Sequence, residues 1–201
     1  MLTLQTLHRG ERAKWRRFSG LPLRYAEVMD PRFPIGKFSF PQSITPEQRA
    51  QWIAEIAAAP AQLRASIAGL TPEQLDTPYR DGGWTVRQVI HHVPESHMNA
   101  YVRFKLALTE NEPTVKPYDE AAWAKLPDNA DTPVATSLAL LDSLHDRWVR
   151  TLRLMEDADW QRTFRHPDIG IVKLEANLAL YAWHGKHHTA HVISLRQRMG
   201  W

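Results

Sequence analysis

Thr45-Pro46-Glu47-Gln48 and Thr71-Pro72-Glu73-Gln74 share one pattern, and Thr85-Val86-Arg87-Gln88 repeats its threonine-to-glutamine spacing. A threonine ahead of a helix accepts from the N–H three residues on. A glutamine at that position reaches back to the threonine's own N–H. Proline suits the first helical position, whose N–H has no partner inside the helix. These signals predict a helix from Thr45 toward Leu70, a short turn after Thr71, and a long helix from Thr85 to about Thr109. Trp52, Ile53, Ile56, Leu63, Ile67 and Leu70 give the first its apolar stripe. Pro60, which removes a backbone donor, is expected to kink or restart it, and Pro94 to bend the second.

A third helix is predicted from about Pro133 to Met155, with Leu138, Leu141, Leu144, Trp148 and Leu152 at helical spacing. A fourth runs from about Leu174 to Met199, and Gly200 ends it. Glu110–Pro133 reads as a long connection with one helical turn near Asp119–Lys125. Phe164–Lys173 reads as a loop with room for a small hairpin at Asp168-Ile169-Gly170. No run with a period of two is long enough to build a sheet. The expected fold is all-α, a four-helix bundle with long crossover connections.

Cysteine is absent, which excludes disulfides, thiolate metal sites and a cysteine nucleophile. No apolar run approaches a membrane span, and the N-terminus has no apolar core of a secretory signal, so neither a span nor a signal is expected. The net charge of +3 is uneven: residues 1–37 hold eight basic and three acidic residues, a net +5, leaving the rest at −2. Residues 1–30 read as a basic N-terminal extension and 31–201 as the helical domain. No groove-reading motif accompanies the charge, so no nucleic-acid partner is expected. Residues 31–46, rich in proline and aromatics, read as an extended arm.

There are 10 histidines. His184 and His188 lie one turn apart on the fourth helix, on the face of Tyr181, Val192 and Leu195. Two neutral imidazoles so placed can hold a divalent metal, although the same spacing also suits core histidines bonded to carbonyls. His187 falls off the stripe and is expected at the surface. His191 lies close to it, as a supporting group. A third ligand has to come from another helix, and the second offers His91, His92 and His97. His97 falls nearest the apolar face, while His92 and His91 flank it. Helical spacing does not choose His92; it prefers His92 to His91 only because its flank is less charged.

The segment Gly83-Trp84-Thr85-Val86-Arg87-Gln88-Val89-Ile90-His91-His92-Val93, continuing through Ser96-His97-Met98-Asn99, resembles the second-helix signature of the DinB/YfiT-like metalloenzymes. Phe33-Pro34-Ile35-Gly36, Leu75–Asp81, Arg103–Glu110, Lys116–Glu120, His166-Pro167-Asp168 and Trp183–Trp201 extend the resemblance over residues 33–201. It is nearest to the YfiT group of metal-dependent hydrolases. The resemblance implies a four-helix bundle with His92, His184 and His188 on one divalent metal. It further implies zinc, with nickel compatible, a homodimer and a cytoplasmic location.

Three imidazoles leave such a metal a full +2 charge and an open position, as in catalytic zinc sites. Water there ionises near neutral pH, which suits a hydrolase acting on a small molecule. The same position could take a thiol and deprotonate it, which suits a thiol S-transferase; the resemblance implies bacillithiol or mycothiol as the thiol, since the wider superfamily includes enzymes that use them. A non-catalytic metal-binding bundle is the third reading. No glutamate stands beside the fourth-helix pair as in H-E-x-x-H enzymes. Glu95, Tyr118 and Asp119 are candidates to approach the metal, and Arg103 and Lys105 to hold a substrate carboxylate. Surface charge and packing account for the same residues.

Overall fold

In a computed structural model, which describes residues 30–201, all three threonine caps are closed. Thr85 Oγ1 accepts from the Gln88 N–H at 3.1 Å, and Gln88 Oε1 accepts from the Thr85 N–H at 2.9 Å. The pairs Thr45–Gln48 and Thr71–Gln74 repeat this exchange. The helices they start are α1 (Pro46–Ser66), α2 (Pro72–Leu75) and α3 (Val86–Thr109). The long connection holds two single turns, α4 (Glu120–Trp123) and α5 (Asp128–Asp131). Then come α6 (Val134–Arg153), the short α7 (Asp157–Trp160), a hairpin of β1 (Thr163–His166) and β2 (Gly170–Lys173), and α8 (Leu174–Met199). Apart from Asp30, the basic extension lies outside the described residues.

The four long helices make the bundle. α1 packs on α8 and α6, and α3 packs on the same two, so α1 stands diagonal to α3 and α6 to α8. The hairpin pairs Phe164 with Val172 and turns both inward as a lid on one end of the core. The connection is tied to it by bonds from Val115 N–H to the Arg165 carbonyl and from Arg165 N–H to the Pro113 carbonyl, each 2.9 Å. Arg49 fastens α1 to the far segment, reaching Asp157 at 2.6 Å and Glu175 at 3.3 Å. Gly200 ends α8 at φ 72°, a conformation that costs glycine nothing.

Pro60 does not restart the first helix: α1 continues through it to Ser66. A proline leaves the carbonyl four residues earlier without its helical donor. That carbonyl, Ile56 O, instead accepts from His145 Nδ1 on α6 at 2.6 Å. The lost backbone bond is thus replaced across the bundle.

The core is layered. One apolar cluster gathers Ile56, Phe104, Trp148, Leu152, Phe164 and Leu178. A second gathers Leu63, Val86, Ile90, Leu141, Val192 and Leu195. Between them, on α3, α6 and α8 alike, lie histidines: His92 and His97, His145, and His184 and His188.

The cap at Thr85 starts the helix that carries the first of these histidines. Thr85→Ala should lower stability by about 1 kcal/mol, and Thr85→Ser by much less. Urea unfolding midpoints of the two variants against wild type measure this.

Candidate metal centre

α3 and α8 are neighbours in the bundle, and their facing sides bring His92, His184 and His188 together. Each offers a ring nitrogen, and the three atoms lie within 4.8 Å of one another. His92 Nε2 is 3.3 Å from His184 Nε2. The ring centroids of His92 and His188 are 4.8 Å apart, and those of His184 and His188 are 4.4 Å apart. Trp84, just ahead of the Thr85 cap, lies against His92 at 4.7 Å between centroids and parallel to His188 at 6.4 Å. The buried Nδ1 atoms of His92 and His188 have no hydrogen-bond partner among the described residues.

The other histidines sort by depth. His97, which helical spacing places nearest the apolar face, is fully buried but stands behind the cluster: its Nε2 is 3.1 Å from His184 Nδ1 and its Nδ1 is 2.9 Å from His145 Nε2. His91 turns the other way, with Nδ1 2.7 Å from Ser137 Oγ. His191 is buried, stacks on Tyr79 at 4.0 Å and bonds His187 Nε2 at 3.0 Å.

His187 corrects the sequence reading: it is buried, not superficial. The arm of residues 31–46 explains this. Phe33 approaches the His187 ring at 6.3 Å, and Phe38 approaches Trp183, on which His187 stacks at 4.3 Å. A helical projection contains no arm, so it cannot register the cover. His145 was missed as a site residue, yet it left a signal: it falls between Leu141 and Trp148 at helical spacing and so belongs to the core face of α6.

Gly185 lets α8 come close here. A Cβ at this position would stand 3.3 Å from Ala59 Cβ, tight against α1, and 3.6 Å from His97 Cε1, in ordinary contact with the buried ring.

Burial and the adjoining imidazoles hold His184 and His188 well below the usual histidine value, and burial alone pushes His92 down to about 4. Neutral rings are what a metal requires, since a protonated nitrogen has no lone pair to give. No carboxylate joins the cluster among the described residues. Glu95 has Asp128 as its charged neighbour, on the flank it shares with His91; burial there, and then Asp128, raise its pKa. Burial likewise raises the Tyr118 phenol. The donor set fits a divalent metal that accepts three nitrogens and keeps a position open.

The DinB superfamily profile matches residues 55–192. A Bacillus mycoides protein named as a candidate metal-dependent hydrolase is 57% identical over 87% of this chain and 100% of its own length. A Bacillus cereus protein of the same name is 58% identical over 86% of this chain and 99% of its own. Among solved structures, YfiT from Bacillus subtilis superposes with a TM-score of 0.83 at 50% identity, covering 85% of this chain and 98% of that one. It is described as a candidate metal-dependent hydrolase with an unusual four-helix bundle topology. A second four-helix bundle superposes with a TM-score of 0.50 at 20% identity, a likeness of fold.

Buried neutral imidazoles make the fold acid-sensitive. Unfolded histidines protonate near pH 6.5, whereas His92 and His145 in the fold do so at about 4. Between those values the unfolded chain binds more protons, so acid favours unfolding. The stability is complete above about pH 6.5 and is lost as pH falls toward 4. Melting of metal-free protein between pH 7 and 4.5 should show a steady fall in Tm; a flat profile would contradict the burial of neutral rings.

Proposed function

Because the chain belongs to the DinB superfamily, we propose that it is a metal-dependent hydrolase in which His92, His184 and His188 hold one divalent ion. The observation that carries this reading is the convergence of three ring nitrogens within 4.8 Å at the junction of two bundle helices. Zinc suits three nitrogen donors, and nickel is compatible with them. Such an ion, when bound, supplies a Lewis acid and brings the ionisation of water near neutral pH.

The chain's own groups prepare the place. His184 and His188 present their rings from consecutive turns of one helix, so a single element aligns two of the donors. His92 completes the set from α3 and is held by Trp84. The apolar clusters on either side keep bulk water from the back of the site. The proposal includes a small-molecule substrate, a homodimer and a cytoplasmic setting, with the basic residues 1–30 outside the metal-binding domain at 31–201. No described helix is long and apolar enough to cross a membrane.

Two experiments test this. Zinc-loaded protein should hydrolyse members of an ester and amide panel without added thiol, and chelation should abolish the turnover. Activity that appears only with bacillithiol, mycothiol or glutathione would replace the hydrolase with an S-transferase, and no turnover in either assay would favour a binding bundle. For the ligand set, a metal that binds only the folded chain stabilises it by about 2.7 kcal/mol at 100 times its Kd. Chelation should therefore lower the Tm of wild type, and His188→Ala should lose most of that difference. Equal chelator sensitivity in both proteins would remove His188 from the set.

A further inference from the structure

Behind the candidate ligands lies a row of hydrogen bonds that ends on a backbone carbonyl. We infer that His97 and His145 are positioning residues for His184: the row decides which nitrogen of each ring carries its proton, and leaves the His184 Nε2 lone pair facing the metal site. The inference rests on the three-histidine reading above and assigns roles to two residues outside that set.

A neutral imidazole has one donor and one acceptor, and its neighbours select between the two tautomers. At the far end, Ile56 O can only accept. His145 Nδ1, 2.6 Å away, therefore carries the proton. His145 Nε2 is then the acceptor, and the partner 2.9 Å from it, His97 Nδ1, donates. His97 Nε2 is left as the acceptor for His184 Nδ1 at 3.1 Å. Three bonds use three ring protons, one from each Nδ1, and a fourth proton in the row would turn one of the three neutral rings into a cation. What remains at the near end is His184 Nε2, unprotonated and 3.3 Å from His92 Nε2.

The direction of the row is imposed by a group that cannot donate, and that group is available because Pro60 has no N–H for it. The rings have little room to turn. His97 is 0% exposed and stands edge-on to Trp148 at 85° and to Tyr181 at 90°. His145 stands edge-on to the same tryptophan at 87°. Metal-bound histidines commonly donate their other N–H to a carbonyl or carboxylate, which fixes the tautomer and orients the ring. Here two further imidazoles stand between the ligand and its carbonyl, so that orientation is set from a different helix, across the bundle.

Nitrogen-15 imidazole spectra of the full-length protein test this. In metal-free wild type, His145, His97 and His184 should each show a protonated Nδ1 and an unprotonated Nε2, and zinc should shift the His184 Nε2 resonance. His145→Phe, which ends the row at His97, should mix the His97 tautomers and weaken zinc binding about tenfold, read by competition with a chromophoric chelator. His145→Gln, whose amide can donate to Ile56 O and accept from His97, should keep most of the affinity. A proton on Nε2 of His97 or His184 in metal-free wild type would overturn the inference, as would an unchanged zinc affinity in His145→Phe. If wild type binds no zinc, the metal-site reading fails, while the tautomers of the metal-free rings still decide the row.

Discussion

A buried imidazole needs partners for two nitrogens, and this bundle buries a whole layer of them. An unpaired polar group in a dry interior costs on the order of 1–3 kcal/mol. The layer is tolerable because its members face one another. His145, His97 and His184 are bonded in line, and His92 and His188 gather around the end of that line. The apolar clusters on either side supply the burial that holds the helices together. The bonded line cannot form unless α1, α3, α6 and α8 deliver their parts at one level.

Much of the fold was legible because its signals are local. A threonine and a glutamine three apart specify a helix start whatever the rest of the chain does, and the boundaries at Pro46, Pro72 and Val86 follow from such patterns. Pro60 shows where local reading stops. Its effect on the backbone was predictable, namely a carbonyl without a donor. The donor that repairs it sits 89 residues away on another helix, and no spacing rule reaches that far. The hairpin at 163–173 was readable as a turn, but its two strands of four residues were too short to show a period.

The candidate site was half legible for the same reason. His184 and His188 belong to one helix, so their common face follows from a single angle. Choosing among His91, His92 and His97 needed the depth and tilt of a second helix, which a projection down an axis does not contain. The projection was right that His97 is the most buried of them; that very depth sets it behind the cluster rather than in it. The resemblance to YfiT-like proteins supplied His92 where geometry from sequence could not. His187 failed in the opposite way, since its cover comes from an irregular arm with no periodicity to read.

The layered core also acts as a registration mark. Leu, Ile and Val contacts are interchangeable enough that two apolar helices can slide past each other by a turn, about 5.4 Å, at modest cost. A slip of α8 by one turn would set His184 or His188 among aliphatic side chains and break the bond to His97. A slip of α1 would carry the Ile56 carbonyl away from His145 while Pro60 still denied it a helical donor. Each shifted packing leaves polar atoms stranded, so the imidazoles exclude alternative alignments that the apolar residues alone would permit. The chain thereby gains one vertical alignment of its four helices from the same side chains that form its candidate chemical centre.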